Sequence, residues 1–185
     1  MRLFVAVRFE DPVKQVIYNW QELFRHSSFS GNFTAKENYH ITIKFLGDTE
    51  PEMIKPLCRA LRSVAAKAEP FVIEPGRAST FRKGDESLLY LSVDTGKEAL
   101  WKLADFTEDE LAGIGIPRED RPFKSHITLG RRVRFSDEFK FVAEDVGPIS
   151  FTSNARGLSL MESTREKGRL VYKELYFFPF KRERQ

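Results

Sequence analysis

The chain has 185 residues, of which 41% are hydrophobic and 13% aromatic, so it can bury a packed core and is not expected to be disordered. Its 30 Lys and Arg residues against 27 Asp and Glu give a formal net charge of +3, which permits an anionic partner without requiring one. A single cysteine, Cys58, excludes an internal disulfide framework and suits a reducing compartment. Because no stretch resembles a signal peptide or a membrane span, we expect a cytoplasmic protein that does not bind a membrane.

The first half of the chain predicts strands that alternate with two helices. Asp11-Pro12 is a favoured helix start, and the apolar residues after it recur with helical spacing. In chain order, the predicted elements are a strand at 3–9, a helix from Asp11 to about His26, a loop at Ser30-Gly31-Asn32, a strand at 39–46 and a helix from Thr49 to about Lys67.

The second half predicts more strands and one long helix. In chain order, we expect a strand at 71–73, a loop-rich stretch from Pro75 to Asp85, a strand at 88–93, a helix from Gly96 to about Ala112, a loop at 113–122, a strand at 125–134, a strand at 149–161 with a bulge at 154–157, and a strand at 170–178. The turn residues Glu166-Lys167-Gly168 predict a hairpin between the last two strands. The basic tail Lys181-Arg182-Glu183-Arg184 is expected to be frayed.

A short phrase occurs twice, at His40–Ile43 and at His126–Leu129, and it contains two of the 3 histidines of the chain. Residues i and i+2 of a strand share a face, so each phrase places an imidazole beside a threonine hydroxyl while the isoleucine between them points to the core. Each phrase follows a helix and a loop, and the two lie about half the chain apart. This order predicts two related lobes packed about a rough two-fold axis.

We therefore expect a single bilobed α+β domain over residues 1–185, with antiparallel-rich sheets, helices on the outside and a central cleft. The cleft would bring together His40, Thr42, His126 and Thr128. Near neutral pH one histidine can accept a proton from water while the other donates a proton to a leaving oxygen. Threonine hydroxyls can donate hydrogen bonds to phosphate oxygens. Such a pocket can open a cyclic phosphate ester without a metal ion, another cofactor or a covalent intermediate.

In their context, these phrases resemble the paired motifs of the two-histidine phosphoesterase superfamily. The stretches 1–7, 39–47 and 123–131 resemble the bacterial and archaeal RNA 2′,3′-cyclic phosphodiesterases, also called 2′-5′ RNA ligase-like proteins. The resemblance covers almost the whole chain. It implies a bilobed α+β fold with the site between the lobes, and metal-independent hydrolysis of RNA 2′,3′-cyclic phosphate ends to 2′-phosphate ends.

The resemblance also implies a role for each motif residue. It makes His40 the proton donor to the leaving 3′ oxygen and His126 the proton acceptor from water, although the residues themselves do not distinguish the two roles. It makes Thr42 and Thr128 ligands of the phosphate. The expected partner is RNA with a 2′,3′-cyclic phosphate end, or a 2′,3′-cyclic nucleotide, and the protein is expected to be a monomer.

Two positions near the second phrase need a structural explanation. Arg131 matches a family arginine near the substrate phosphate, but strict alternation places it on the face opposite His126. A bulge or a long side chain that curls round the edge is required for phosphate binding, and a surface salt bridge is the alternative. Ser125 stands where the family usually has proline; the change removes no catalytic group but leaves the backbone less restricted.

Other interpretations of the site stay open at this point. The two histidines can be satisfied core residues, and a zinc site would need carboxylates in addition to two histidines. The reverse of the same chemistry would give a 2′-5′ RNA ligase. A nucleotide-binding or RNA-binding module without turnover would share the same pocket.

Some residues outside the two phrases are candidates for RNA contacts. A basic path for RNA, or else an exposed charged strand, is predicted from Arg131-Arg132-Val133-Arg134 together with Arg118, Arg121 and Lys124. Tyr39 and Phe123 are candidates for stacking on a base, with core packing as the alternative. His26 is expected to be a solvated residue at a helix end, and Cys58 a half-buried helix residue.

Overall fold

The computed structural model describes residues 1–181, which form ten strands and four α-helices. The strands are β1 (Arg2–Arg8), β2 (Ser28–Phe33), β3 (His40–Asp48), β4 (Phe71–Ile73), β5 (Pro75–Lys83), β6 (Glu86–Val93), β7 (His126–Phe135), β8 (Ser153–Ala155), β9 (Gly157–Glu166) and β10 (Arg169–Pro179). The helices are α1 (Asp11–His26), α2 (Ile54–Lys67), α3 (Lys97–Ala112) and α4 (Phe139–Val146), with short 3-10 helices at Lys36–Asn38 and Pro51–Met53. Among these described helices, none has the length and apolar character that a membrane crossing requires.

Eight strands form one antiparallel sheet that runs through the molecule in the order β10-β9-β1-β3-β7-β6-β5, with β2 added beside β7. The two central strands, β3 and β7, meet at a single residue pair, Ile41 and Ile127. Beyond that pair the strands diverge, and β2 takes over the free edge of β7. The sheet is therefore continuous but is divided into two wings, and the gap between the wings positions the site.

The two halves of the chain repeat the same element order. The series β1-α1-β3-α2-β4 corresponds to β6-α3-β7-α4-β8, and the short strands β4 and β8 pair with each other. The strand after each series then crosses to the other half, because β5 pairs with β6 and β9 pairs with β1. This arrangement confirms the predicted bilobed α+β fold with two related lobes.

The two faces of the sheet have different partners. On β1, Leu3, Val5 and Val7 are at most 1% exposed and belong to the main hydrophobic core beneath the helices. Phe4 and Ala6 point to the other face, where they form a second, smaller buried cluster with Met161. Strand alternation thus gives this sheet a helix-covered face and a second face that bears the motif histidines.

The helix predicted from Asp11 to His26 is confirmed as α1, and Cys58 is a half-buried residue of α2 as expected. Two predicted loops are wrong. The segment Ser30-Gly31-Asn32 belongs to β2, and most of the stretch from Pro75 to Asp85 is β5. Both are strands whose polar sequences do not alternate, and backbone pairing with a neighbour holds them in the sheet.

The long strand predicted at 149–161 is also different in the structure. It begins later and divides at Arg156, because β8 pairs with β4 whereas β9 pairs with β1 and β10. Helix α4 was not predicted. The hairpin turn at 166–168 is confirmed, since β9 and β10 pair on either side of it. The predicted fraying at 182–184 lies outside the described residues.

Candidate active site

The pair Ile41–Ile127 brings the two histidine phrases together at the centre of the sheet. Both isoleucines are fully buried on the helix-covered face. Because successive residues of a strand point to opposite faces, the residues on either side of each isoleucine point into the gap between the wings. The four motif side chains line one cleft of about 1560 Å³: His40, Thr42, His126 and Thr128.

Four neighbouring groups contact the His40 imidazole. Its Nδ1–H donates to the Asn38 carbonyl oxygen at 2.7 Å, and its Nε2 lies 2.9 Å from the Thr42 hydroxyl. The Phe4 ring lies against the imidazole with 5.0 Å between centroids, and the Tyr172 ring meets it edge-on at 5.2 Å. These contacts fix the plane of the ring and leave Nε2 as the nitrogen that faces Thr42.

Asn38 supports this arrangement from behind and was not singled out in the sequence. Its side-chain amide donates to the Leu170 carbonyl at 2.9 Å, and the Tyr172 backbone N–H donates to its side-chain oxygen at 3.2 Å. Asn38 thereby ties the backbone before His40 to β10. Since its partners are more than a hundred residues away in the chain, no local sequence pattern could have identified this role.

His126 repeats the main feature of His40. Its Nδ1–H donates to the Lys124 carbonyl oxygen at 2.8 Å, again two residues before the histidine. The Tyr90 ring meets it edge-on at 5.5 Å. A carbonyl oxygen only accepts hydrogen bonds, so Nδ1 must carry the proton in both neutral imidazoles and Nε2 must carry the lone pair. Each histidine can therefore exchange a proton at Nε2.

Burial makes both imidazoles weaker bases than free histidine. It lowers the pKa of His40 from 6.5 to about 4, an effect that the Asn38 carbonyl partly opposes and the charges of His126 and Arg131 increase. Burial also lowers the pKa of His126, where the Lys124 carbonyl again opposes the change and the charges of Arg131 and Lys124 add to it. His40 is consequently neutral at pH 7 in the free protein.

Arg131 reaches the cleft because β7 contains an extra residue. Thr128 pairs with Tyr90, but the next residue of β6, Leu89, pairs with Gly130, so two residues of β7 oppose one of β6. This β-bulge reverses the alternation and turns Arg131 to the face of Thr128. Arg131 accordingly lines the cleft, and a second irregularity follows at Arg132, whose φ is +54°.

Strand β3 contains a matching bulge after the first phrase. Thr42 pairs with Ala6, whereas Lys44 pairs with the adjacent Val5, so β3 also has one residue too many for its partner. The reversal turns Phe45 into the cleft, where 60% of its side chain is exposed. Such an exposed aromatic ring is a surface on which a base can stack. Phe45 could not be recognised from the sequence, because strict alternation along the strand places its side chain on the core side.

The cleft carries a strong excess of positive charge. One acidic residue, Glu37, lies on its wall. The wall also contains six basic residues: Arg2, Arg25, Lys36, Arg131, Arg165 and Arg169. This arrangement favours an anionic ligand far more than the net charge of +3 suggests.

Of the two alternatives for the basic run, the structure favours exposed charges outside the cleft. Within residues 1–181, Arg131 is the one member of that set on the cleft wall. Arg118 instead binds two carboxylates of α3, with 2.7 Å to Asp105 and a second ion pair to Asp109. The Lys124 ammonium lies 4.8 Å above the Phe81 ring.

For the two aromatic residues considered for stacking on a base, the structure confirms the alternative, which is core packing. Tyr39 is 1% exposed, and its hydroxyl donates to Gln21 at 2.7 Å, so its ring cannot meet a base. Phe123 is half-buried and packs against the main core. His26 lies at the end of α1, where its Nδ1–H donates to the Glu22 carbonyl at 2.6 Å, as expected for an exposed residue outside the site.

The donor atoms around the cleft do not form an obvious metal site. Within residues 1–181, no three His, Cys, Asp or Glu side chains lie close enough together to hold a metal ion. The neighbours of the two imidazoles are hydroxyl groups, aromatic rings and a guanidinium, which suit the binding of an oxyanion.

Comparison with known proteins agrees with the two-lobed geometry. The family model described as LigT-like phosphoesterase matches the chain twice, at residues 7–90 and 91–172. Each match contains one histidine phrase. The two matches together span most of the chain, and their boundary falls within β6, the first strand of the second series.

Two curated relatives match almost the whole chain, and a third matches part of it. An RNA 2′,3′-cyclic phosphodiesterase from Archaeoglobus fulgidus is 30% identical over 96% of this chain and 99% of its own. One from Thermotoga maritima is 27% identical over 95% of this chain and 94% of its own. A third, from Geobacillus stearothermophilus, is 31% identical over 70% of this chain but only 41% of its own length.

Solved structures show the same fold. The crystal structure of TT0787 of Thermus thermophilus superposes with a TM-score of 0.82 at 23% identity, covering 100% of both chains. That of Escherichia coli LigT complexed with 3′-AMP gives a TM-score of 0.80 at 22% identity, covering 97% of each chain. The resemblance noted from the motifs is thus confirmed, and the chain belongs to the LigT-like phosphoesterase family.

Proposed function

We propose that this protein hydrolyses RNA 2′,3′-cyclic phosphate ends to 2′-phosphate ends by paired acid and base catalysis. One observation carries the proposal: both imidazoles bind a backbone carbonyl through Nδ1–H and line one strongly basic cleft. Two histidines that can exchange a proton at Nε2 supply a proton acceptor and a proton donor. The relatives named RNA 2′,3′-cyclic phosphodiesterases support the choice of substrate.

In the proposed reaction, His126 Nε2 accepts a proton from a water molecule as the water oxygen forms a bond to phosphorus. The bond between phosphorus and the ribose 3′ oxygen breaks, and His40 Nε2–H donates its proton to that oxygen. The products are a 2′-phosphate and a free 3′-hydroxyl. His126 leaves the step protonated and His40 neutral, and exchange with solvent restores both.

The groups around the histidines hold the phosphate. The Arg131 guanidinium can donate two parallel hydrogen bonds to the non-bridging oxygens, where negative charge increases in the transition state. The Thr42 and Thr128 hydroxyls can donate to the same oxygens. None of these contacts needs a metal ion, and the proposed reaction is metal-independent.

The proposed donor role of His40 requires the substrate itself. In the free protein the low pKa of His40 keeps it neutral at pH 7. A phosphate anion beside the imidazole favours its charged form and raises that pKa. His40 therefore gains its proton as the anion binds, and this proton is the one that the leaving oxygen receives.

The test is an assay on a short RNA with a 2′,3′-cyclic phosphate end, in the presence of a chelator, with products identified by ³¹P NMR. The proposal predicts a 2′-phosphate as the single product and a rate that the chelator does not change. A 3′-phosphate product, or loss of activity that added metal restores, would contradict it. Adding a second RNA with a free 5′-hydroxyl to the same assay detects any joined product.

A further inference from the structure

The cleft extends well beyond the two histidines, along the hairpin formed by β9 and β10. In that hairpin Ser163 pairs with Tyr172, and Arg165 pairs with Leu170. All four side chains line the cleft. Tyr172 also touches the His40 imidazole, so the hairpin surface begins at the catalytic centre and leads away from it toward the turn.

Strand alternation sorts the charges of this hairpin. Arg165 points into the cleft, whereas Glu166 faces away and forms an ion pair with Lys173 at 2.5 Å. Glu162, the cross-strand partner of Lys173, lies on that same outer face. The hairpin therefore presents Arg165 to the cleft and places Glu162 and Glu166 on the other side. Arg169 is the cross-strand partner of Glu166 beside the turn, and it also lines the cleft.

The basic groups on this arm of the cleft are available for a ligand. In the part of the chain that the structure describes, Arg2 and Arg169 form no ion pair, and Arg165 donates only to the Gly168 carbonyl at 3.3 Å. Arg2 shares a face of β1 with Phe4 and is about 7 Å further along the strand. Arg2 is close enough to Tyr172 for its positive charge to affect the phenol. Burial raises the pKa of Tyr172, and the charge of Arg2 opposes that rise.

On the opposite arm, acidic residues lie beside the basic groups. Arg25 pairs with Glu22 at 3.4 Å and lies 5.2 Å above the Phe33 ring. The Lys36 ammonium donates to the Gln15 amide oxygen at 3.0 Å. Within residues 1–181, Glu37 is the one acid on the cleft wall, and it also belongs to this arm. An anionic chain thus meets more uncompensated charge along the hairpin.

We propose that Arg2, Arg165 and Arg169 form a second phosphate-binding site, which holds the backbone phosphates preceding the cyclic end of an RNA strand. The inference rests on the proposed function, since it takes the cyclic phosphate to lie at the histidines. The RNA strand continues from such an end only in the 5′ direction, so the rest of it must leave the cleft along one arm. The substrate class is accordingly an oligoribonucleotide rather than a mononucleotide.

The test compares two substrates, a 2′,3′-cyclic mononucleotide and an oligoribonucleotide of several residues with the same end. We expect the wild-type protein to have the higher kcat/KM on the oligoribonucleotide. In a variant carrying both Arg165→Gln and Arg169→Gln, the ratio of the two kcat/KM values should fall about tenfold, and the slope of log KM against log salt for the single-stranded oligoribonucleotide should fall by about 1.4. Lys173→Gln is the matched control, since it removes one charge from the outer face of the same hairpin.

The outcomes separate this inference from the proposed function. Equal kcat/KM values for the two substrates in the wild type, or equal losses in the double variant and in Lys173→Gln, would overturn the second site and leave the hydrolase intact. If neither substrate is hydrolysed, the proposed function fails instead. The second site is then tested by fluorescence anisotropy with a labelled oligoribonucleotide that ends in a 2′-phosphate, for which unchanged affinity in the double variant would contradict it.

Discussion

Phe45 and Arg131 occupy equivalent places in the two lobes. Each is the fifth residue after its motif histidine, and in each case a bulge turns the side chain into the cleft. One wall therefore offers an aromatic ring and the other a guanidinium. A nucleotide has the same asymmetry, with a flat base on one side and a charged phosphate on the other. We expect the base to lie toward Phe45 and the phosphate toward Arg131.

Replacing Phe45 should weaken substrate binding more than chemistry. Stacking of a base on an aromatic side chain contributes about 1–3 kcal/mol by alanine substitution, so Phe45→Ala should raise KM by about 5-fold to 150-fold. The matched control is Phe141→Ala on α4, which removes a comparably exposed ring outside the cleft. Steady-state kinetics on a 2′,3′-cyclic mononucleotide measure the effect, and equal KM values for the two variants would argue against a stacking role.

The bulge beside Arg131 depends on a residue without a side chain. A Cβ on Gly130 would come within 2.8 Å of a Val133 methyl and 3.3 Å of the Phe33 ring. Gly130→Ala should therefore cost about 1–3 kcal/mol of unfolding free energy and should lower kcat by displacing Arg131.

Gly113→Ala is the control for this change, because a Cβ there would have only an ordinary contact of 3.4 Å with the Glu110 carbonyl. Urea unfolding and cyclic phosphate hydrolysis are measured for both variants. If Gly130→Ala keeps full activity, the bulge is not what positions Arg131.

The unfolding free energy should fall as the pH is lowered from about 6.5 to 4. Burial lowers the pKa of His40 from 6.5 to about 4, so in this interval the unfolded chain binds a proton that the folded protein does not. Above pH 6.5, His40 is neutral in both states and its titration does not reduce the unfolding free energy. Between pH 6.5 and pH 4, this titration should lower the unfolding free energy by about 3 kcal/mol at most.

Urea unfolding at several pH values measures this dependence. In His40→Gln, the unfolding free energy should depend less steeply on pH over this interval. Of the two site histidines, only His126 then contributes to the slope, because burial lowers its pKa as well. Identical slopes in the wild type and His40→Gln would contradict the buried, neutral state of His40.

A buried ion pair fixes the loop that precedes the second phrase. The Lys44 ammonium donates to Glu108 and to the Pro117 carbonyl, each at 2.7 Å, and only 2% of its side chain is exposed. Glu108→Ala leaves this charge buried without its partner and should cost about 3–5 kcal/mol.

The control for that prediction is Asp105→Ala. It breaks the exposed ion pair with Arg118 and should cost less than about 1 kcal/mol. The double variant Lys44→Met, Glu108→Leu should recover most of the stability, because it removes both charges together. Thermal unfolding compares all three, and a loss in Glu108→Ala no larger than in Asp105→Ala would show that the pair has no structural role.

The positions of the motif side chains were predictable because they follow from local geometry. The period of two in a strand is enough to place Thr42 beside His40 and to direct Ile41 to the core. The repeat of the phrase then predicted two lobes, and the family comparison agrees with that prediction. The assignment of donor and acceptor roles stays a prediction, since each histidine binds the same kind of partner, the backbone carbonyl two residues before it.

Features that depend on distant parts of the chain could not be predicted in this way. The polar strands β2 and β5 are ordered by their neighbours in the sheet, not by their own sequence. In the basic run around His126, Arg118 is neutralised by α3 and Arg131 reaches the cleft. The other basic residues of the cleft wall come from distant parts of the chain, among them β1 and the final hairpin. The bulge at Gly130 shows the same limit, because a register shift appears only when two strands are compared.

The central claim is that both Nε2 atoms transfer protons to and from the substrate. It is tested most directly by kcat for hydrolysis of a 2′,3′-cyclic phosphate in His40→Gln, His126→Gln and the control His26→Gln. Removing a general acid or base typically costs about 10²–10⁴-fold, so we expect each of the first two variants to lose at least about a hundredfold in kcat while the control keeps the wild-type rate. Wild-type kcat in either His40→Gln or His126→Gln would contradict the account.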